Sequence, residues 1–172
     1  FGGARSGLLV MGLYFFFAQT FVAGEAPAES GLLGFWRLDA GAGGVMADSS
    51  GRGHDGQVDR PIWSNNDSRQ AVALEFPGDA PKYVTVPHAP ELNVSAELTI
   101  EAWICPTKIQ DATLVSKGRS HWACGYHLMQ KEKKIALAVC TEECLPRERP
   151  LAYALVSAEN VLQLEEWAHV AG

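Results

Sequence analysis

Residues 71–118 read AVALEFPGDAPKYVTVPHAPELNVSAELTIEAWICPTKIQDATLVSKG, and this stretch decides the fold. Its clearest feature is the alternation at residues 97–104. Leu98, Ile100, Ala102 and Ile104 fall on one side, and Glu97, Thr99, Glu101 and Trp103 on the other. Successive strand residues point to opposite faces, so this pattern predicts a strand with one face in a core. Lys82, Tyr83, Val84, Thr85 and Val86 alternate in the same way between Pro81 and Pro87. The prolines mark the ends of that strand, because proline cannot donate to a ladder. Thr113, Leu114, Val115, Ser116 and Lys117 give a further strand that stops at Gly118. Strands this close together, with no helical periodicity between them, predict an antiparallel all-β protein.

Working outward, residues 32–38 (LLGFWRL) read as a strand, residues 41–44 as a flexible turn, and residues 48–56 as a Gly/Asp/Ser loop. Ser-Gly, Arg-Gly and Asp-Gly in that loop supply positions that tolerate positive φ. Gln57 and Val58 begin a short strand, residues 61–70 read as a polar connection, and residues 71–76 as a strand. One short helical turn is expected near residues 90–92. Residues 119–124 form a loop holding His121 and Trp122. Residues 125–130 and 134–140 make a hairpin joined by a charged turn, and residues 141–150, with two prolines and five charges, an exposed loop. Residues 151–157 alternate again, and residues 162–167 turn into a last strand at residues 167–171. No internal repeat is present.

The order and spacing of these segments carry a resemblance. Phe76-Pro77-Gly78 stands before the Tyr83-Val-Thr-Val-Pro87 strand. Pro90-Glu-Leu-Asn-Val-Ser95, Leu98-Thr-Ile-Glu-Ala-Trp-Ile104 and Leu114-Val-Ser-Lys-Gly118 follow. With Gly34-Phe-Trp-Arg-Leu-Asp39, Asp48-Ser-Ser-Gly-Arg-Gly-His-Asp-Gly56 and Trp167-Ala-His-Val-Ala-Gly172, the chain resembles the laminin G-like, concanavalin A-like lectin/glucanase group. The resemblance covers roughly residues 32–172, with a poorly matching insertion in the middle. It implies a jelly-roll sandwich of two antiparallel sheets, used as a non-catalytic module recognising glycans or extracellular protein surfaces. Family members continue past the equivalent of residue 172 into further strands. The start at Phe1 and the stop at this strand therefore predict a fragment, incomplete at its C-terminus.

The chain has 172 residues, enough for one domain with a sizeable core. Its 14 basic and 20 acidic side chains leave a formal charge of −6. No basic stripe is present to neutralise phosphates, which argues against a nucleic-acid partner. Arg5, the apolar run at residues 8–17 and the small residues after it have the layout of an export signal. Cleavage fits after Gly24 or after Ala28. The alternative is an uncleaved membrane anchor, although the run is shorter than the roughly twenty apolar residues of a span. The expected organisation is residues 1–28 as signal peptide or anchor with a short linker, and residues 29–172 as the domain, secreted or on the cell surface.

Candidate chemistry is sparse. Retaining glycosidases need two carboxylates close together on one face. Glu97 and Glu101 lie four apart with no carboxylate between them, and Glu165 and Glu166 are adjacent and must point to opposite faces. Neither supplies a catalytic pair, and no Gly-x-Ser-x-Gly elbow occurs, so the chain is read as non-enzymatic. Asp48, Asp55 and Asp79 lie in Gly-rich loops, where carboxylates and carbonyls can surround calcium. Relatives often carry an acidic residue or Asn where this chain has Lys82. The competing reading is that these aspartates shape turns by bonding to the backbone. His121 and Trp122 are candidate sugar contacts, against a Trp that merely anchors its loop. The five histidines show no metal-ligand spacing. An exported chain keeps disulfides, and Cys105, Cys124, Cys140 and Cys144 allow three pairings. Cys140–Cys144 with Cys105–Cys124 is preferred, with the crossed pairings open.

Overall fold

The computed structural model describes residues 8–16, 31–66, 71–78, 83–94, 97–118, 125–140 and 162–172. Among them the chain forms eleven strands and one 3-10 turn, with every ladder antiparallel. The strands are β1 (Leu8–Phe16), β2 (Leu32–Trp36), β3 (Val45–Met46), β4 (Gly56–Gln57), β5 (Ile62–Asn66) and β6 (Ala71–Phe76). They continue as β7 (Thr99–Pro106), β8 (Ala112–Lys117), β9 (Gly125–Lys131), β10 (Lys134–Cys140) and β11 (Ala168–Ala171). The short helical turn falls at Pro90–Leu92 as expected.

The larger sheet has six strands in the order β11-β7-β1-β6-β5, and β2 shares the β6 side of β1. β1 pairs with β7 along its whole length, from Leu8 opposite Pro106 to Phe16 opposite Thr99. On its other side β1 meets β6 at Leu8, Leu9 and Val10, then β2 from Leu13 onward. A smaller sheet is built from β10-β9-β8, and β3 with β4 makes a two-stranded ribbon.

The alternation read in residues 97–104 places β7 as expected. Ile100, Ala102 and Ile104 are buried at 0–1% exposure, and Thr99, Glu101 and Trp103 stay partly open on the other face. One apolar cluster joins that inner face, with Leu74 of β6 and Val170 of β11, to Tyr126, Leu128, Ile135 and Leu137 of the smaller sheet. The two sheets are thus closed by a shared core, the arrangement of a β-sandwich. Each fully buried Leu or Ile contributes about 1.5–3 kcal/mol. The Tyr126 phenol crosses the same core to donate to the Leu92 carbonyl at 3.2 Å, and burial pushes its pKa up to about 12.

The charged turn joins β9 to β10 as read, and Asp111 fastens it by accepting from the Glu132 N–H and the Lys131 ammonium. Gly125, at φ +147°, opens β9 where any Cβ would overlap the Lys117 carbonyl, so the position requires glycine.

Two expectations differ. Residues 61–70 hold the edge strand β5, paired with β6 from Ile62 opposite Glu75, where a connection was expected. The strand expected at residues 82–86 reduces, among described residues, to one bridge in which Thr85 and Gln57 exchange both backbone hydrogen bonds. Residues 8–16, inside the apolar segment, form strand β1 in the interior of the larger sheet. The alternating segment at residues 151–157 lies outside the described residues.

Candidate functional site

Two constellations stand out among the described residues. The first is the loop at residues 48–56. Asp48 lies just after β3, in the loop that joins the two strands of the ribbon, and bridges back to Trp36 of β2. Its Oδ1 accepts from the Phe35 and Ser50 N–H groups, both at 2.9 Å. Its Oδ2 accepts from the Ser50 hydroxyl at 2.8 Å and from the His54 N–H at 2.9 Å. Asp55 closes the loop from the other end by accepting the Asp48 N–H at 2.8 Å. Partial burial alone would raise the pKa of Asp48, but the hydrogen bonds from Phe35, His54 and Ser50 outweigh it and hold the pKa below 3.8. His54 is buried beneath the loop. Its carbonyl accepts from the Trp36 indole at 2.8 Å, and its Nε2 lies 3.3 Å from Glu91 without hydrogen-bond alignment.

The structure thus brings Asp48 and Asp55 together, but through N–H donors. A cation needs free lone pairs converging on one point, and among the described residues no group of three or more His, Cys, Asp or Glu side chains could hold a metal ion. The four hydrogen bonds to Asp48 are those of a carboxylate that shapes a turn. Asp79 lies outside the described residues. Chelation by EDTA is expected to leave the melting temperature unchanged, and a lowered value would restore calcium to this loop. Asp48→Ala leaves at least two backbone donors without their acceptor and is expected to cost about 1–3 kcal/mol. Because the folded-state pKa is depressed, Asp48 contributes its full stability above pH 3.8 and loses it as pH falls through the lower folded value. Thermal melts from pH 7 down to pH 2 should therefore converge for the wild type and Asp48→Ala.

The second constellation lies on the outer face of the larger sheet. Glu101 and Trp103, two apart on β7, share that face. The register sets His169 of β11 opposite Trp103, and the two rings lie 5.2 Å apart, tilted by 40°. The Glu101 carboxylate comes within 3.3 Å of the His169 Nε2. The side chains of His169 and Glu101 are 41% and 30% exposed. Gly12 holds the register position opposite Trp103 on the β1 side, next to an irregularity in that ladder. Ala171 stands opposite Glu101 on the β11 side. On the β1 side Tyr14 holds the register position opposite Glu101, so the indole, carboxylate and imidazole stand between Gly12 and Tyr14 on β1 and Ala171 on β11. Aromatic faces pack on apolar C–H surface, carboxylates accept from hydroxyls, and imidazole can do either.

The sequence separates His169 from Trp103 by more than sixty residues, and no local pattern pairs them. What was available was the alternation that sets Glu101 and Trp103 on one side. The candidate sugar contacts His121 and Trp122 lie outside the described residues. So do Cys124 and Cys144. Cys105 is buried on β7, Cys140 pairs in register with Gly125, and no disulfide joins described residues. Ser116 and His127 form a cross-strand pair on β8 and β9, hydroxyl to Nδ1 at 3.0 Å, with the imidazole 7% exposed.

No family model, no curated protein and no solved structure matches the chain.

Proposed function

We propose that the chain is an extracellular recognition module without catalytic activity of its own, built as a jelly-roll sandwich of the laminin G-like kind and belonging to a larger exported protein. Its ligand is a glycan or the surface of an extracellular protein. The observation that carries this reading is the Trp103–His169–Glu101 cluster: a partly exposed indole beside two hydrogen-bonding side chains on a sheet face. An exposed aromatic with polar neighbours is the composition of a small recognition site, because the ring supplies contact area and the polar groups supply orientation. Localisation at the cell surface or outside the cell rests on the layout of residues 1–28. Two disulfides among Cys105, Cys124, Cys140 and Cys144 belong to the same proposal.

The test is a binding screen of the immobilised full chain against an oligosaccharide array and a panel of extracellular matrix proteins. Saturable binding to members of either set supports recognition. Binding to neither, by a chain that is folded by circular dichroism, favours the alternative of a structural or adhesive domain with no small ligand. A third reading, an accessory domain of a secreted glycoside hydrolase, gives binding confined to one polysaccharide and its fragments.

A further inference from the structure

The charge distribution of the larger sheet narrows the ligand. Its strands read LLVMGLYFF, LLGFW, IWSNN, AVALEF, TIEAWICP and AHVA, and none contains a lysine or arginine. The carboxylates are Glu75 and Glu101, and the one imidazole is His169. The cations of the described strands stand on the other sheet, as Lys117, Lys131 and Lys134. The whole chain carries −6 as well. Among the described strands of this sheet, a ligand on the Trp103 face meets the Glu101 carboxylate and no lysine or arginine.

We infer that this face takes an uncharged pyranose and rejects anionic saccharides. The inference rests on the glycan form of the reading above. The apolar C–H face of the sugar lies on the Trp103 indole, and a pair of its hydroxyls donates to the Glu101 carboxylate. Residues two apart on a strand are separated by about 6.6 Å, so a ring seated on Trp103 presents its edge to Glu101. An ionised carboxylate accepts and cannot donate, and its charge-assisted bonds to hydroxyls are the strong ones. The same charge repels a carboxylate or sulfate on the ligand, and no lysine or arginine of the sheet offsets it. The His169 Nε2 stands 3.3 Å from the Glu101 carboxylate on the β11 side, and Gly12 holds the position opposite Trp103 on β1.

The experiment titrates the full chain, by indole fluorescence, with lactose, cellotetraose and N-acetylchitotetraose, and separately with heparin tetrasaccharide, sialyllactose and tetragalacturonate. Neutral sugars should bind at least tenfold more tightly than the anionic set at low salt, and added salt should narrow the gap by screening the repulsion. Glu101→Gln should weaken neutral-sugar binding by about tenfold, the loss of one charge-assisted bond, and bring anionic sugars within measurable range. Tighter binding of the anionic set by the wild type overturns the inference while leaving glycan recognition intact. Equal affinities of Glu101→Gln and wild type for every sugar that binds overturn it too. Binding of no saccharide in either set overturns the glycan reading itself, and the inference with it.

Discussion

A chain cut to residues 29–172 is expected to lose cooperative melting and to self-associate, whereas the chain that carries residues 8–16 melts in one transition. The reason is the position of β1. It fills the space between β7 and the β6 and β2 strands, pairing along its whole length on the β7 side. Removing it strips the backbone partners from β7 on one side and from β6 and β2 on the other. The sheet then separates into β11 with β7 and β6 with β5, and β2 keeps, among the described pairings, its bridge from Trp36 to Asp48. Open edges template pairing with other chains. Domains of this size are stable by only about 5–15 kcal/mol, so losing an interior strand consumes the margin. Size-exclusion chromatography and a thermal melt of both chains provide the check. A monomeric, two-state 29–172 would show that the core of β7, β9 and β10 stands without β1. Export cleavage after Gly24 or Ala28 would make the same cut in the cell. N-terminal sequencing of chain recovered outside the cell therefore decides between a signal peptide and a retained strand.

That double reading shows where sequence and fold part company. β7 was legible because one of its faces is buried and the other is not, so Ile100, Ala102 and Ile104 alternate with Thr99, Glu101 and Trp103. β1 offers no such contrast. An interior strand can be apolar throughout, and a continuous apolar run after Arg5 is also what an export signal requires. β5 failed in the opposite sense. It is an edge strand with Ser64 and Asn65 in its middle, held by pairing to β6 and by the Trp63 indole donating to the Gly43 carbonyl. The pairing is a local hairpin, Asn66 opposite Ala71, but the polar middle of β5 breaks the alternation that would have marked a strand, and the indole contact spans twenty residues. Residues 82–86 have an alternating pattern, and among the described residues Thr85 pairs with Gln57 of β4 alone.

The candidate site divides along the same line. The Asp48 loop could be read from its glycines and aspartates, because turn chemistry is local. What local sequence could not say is that four donors converge on the Asp48 oxygens and occupy the lone pairs a cation would use. Glu101 and Trp103 could be placed on one face by counting in twos. His169 needed the register of β11 on β7, set by the burial of Val170 beside Ala102 and by Gly172 exchanging backbone hydrogen bonds with Ile100.

The largest expected effect on function belongs to Trp103. Buried aromatic anchors contribute about 2 kcal/mol or more to recognition, which is roughly a thirty-fold change in Kd. Trp103→Ala should therefore weaken binding of the best ligand by at least that factor. Because the ring lies on the outer face, away from Ile100, Ala102 and Ile104, the melting temperature should fall by only a few degrees. Trp103→Phe keeps an aromatic face and should retain most of the affinity. The most direct measurement is a pair of calorimetric titrations of the full chain and Trp103→Ala with the tightest ligand of the binding screen, alongside their melts. The account predicts a loss of thirty-fold or more in an intact fold. Equal affinity in the two chains would place recognition elsewhere on the molecule and contradict it.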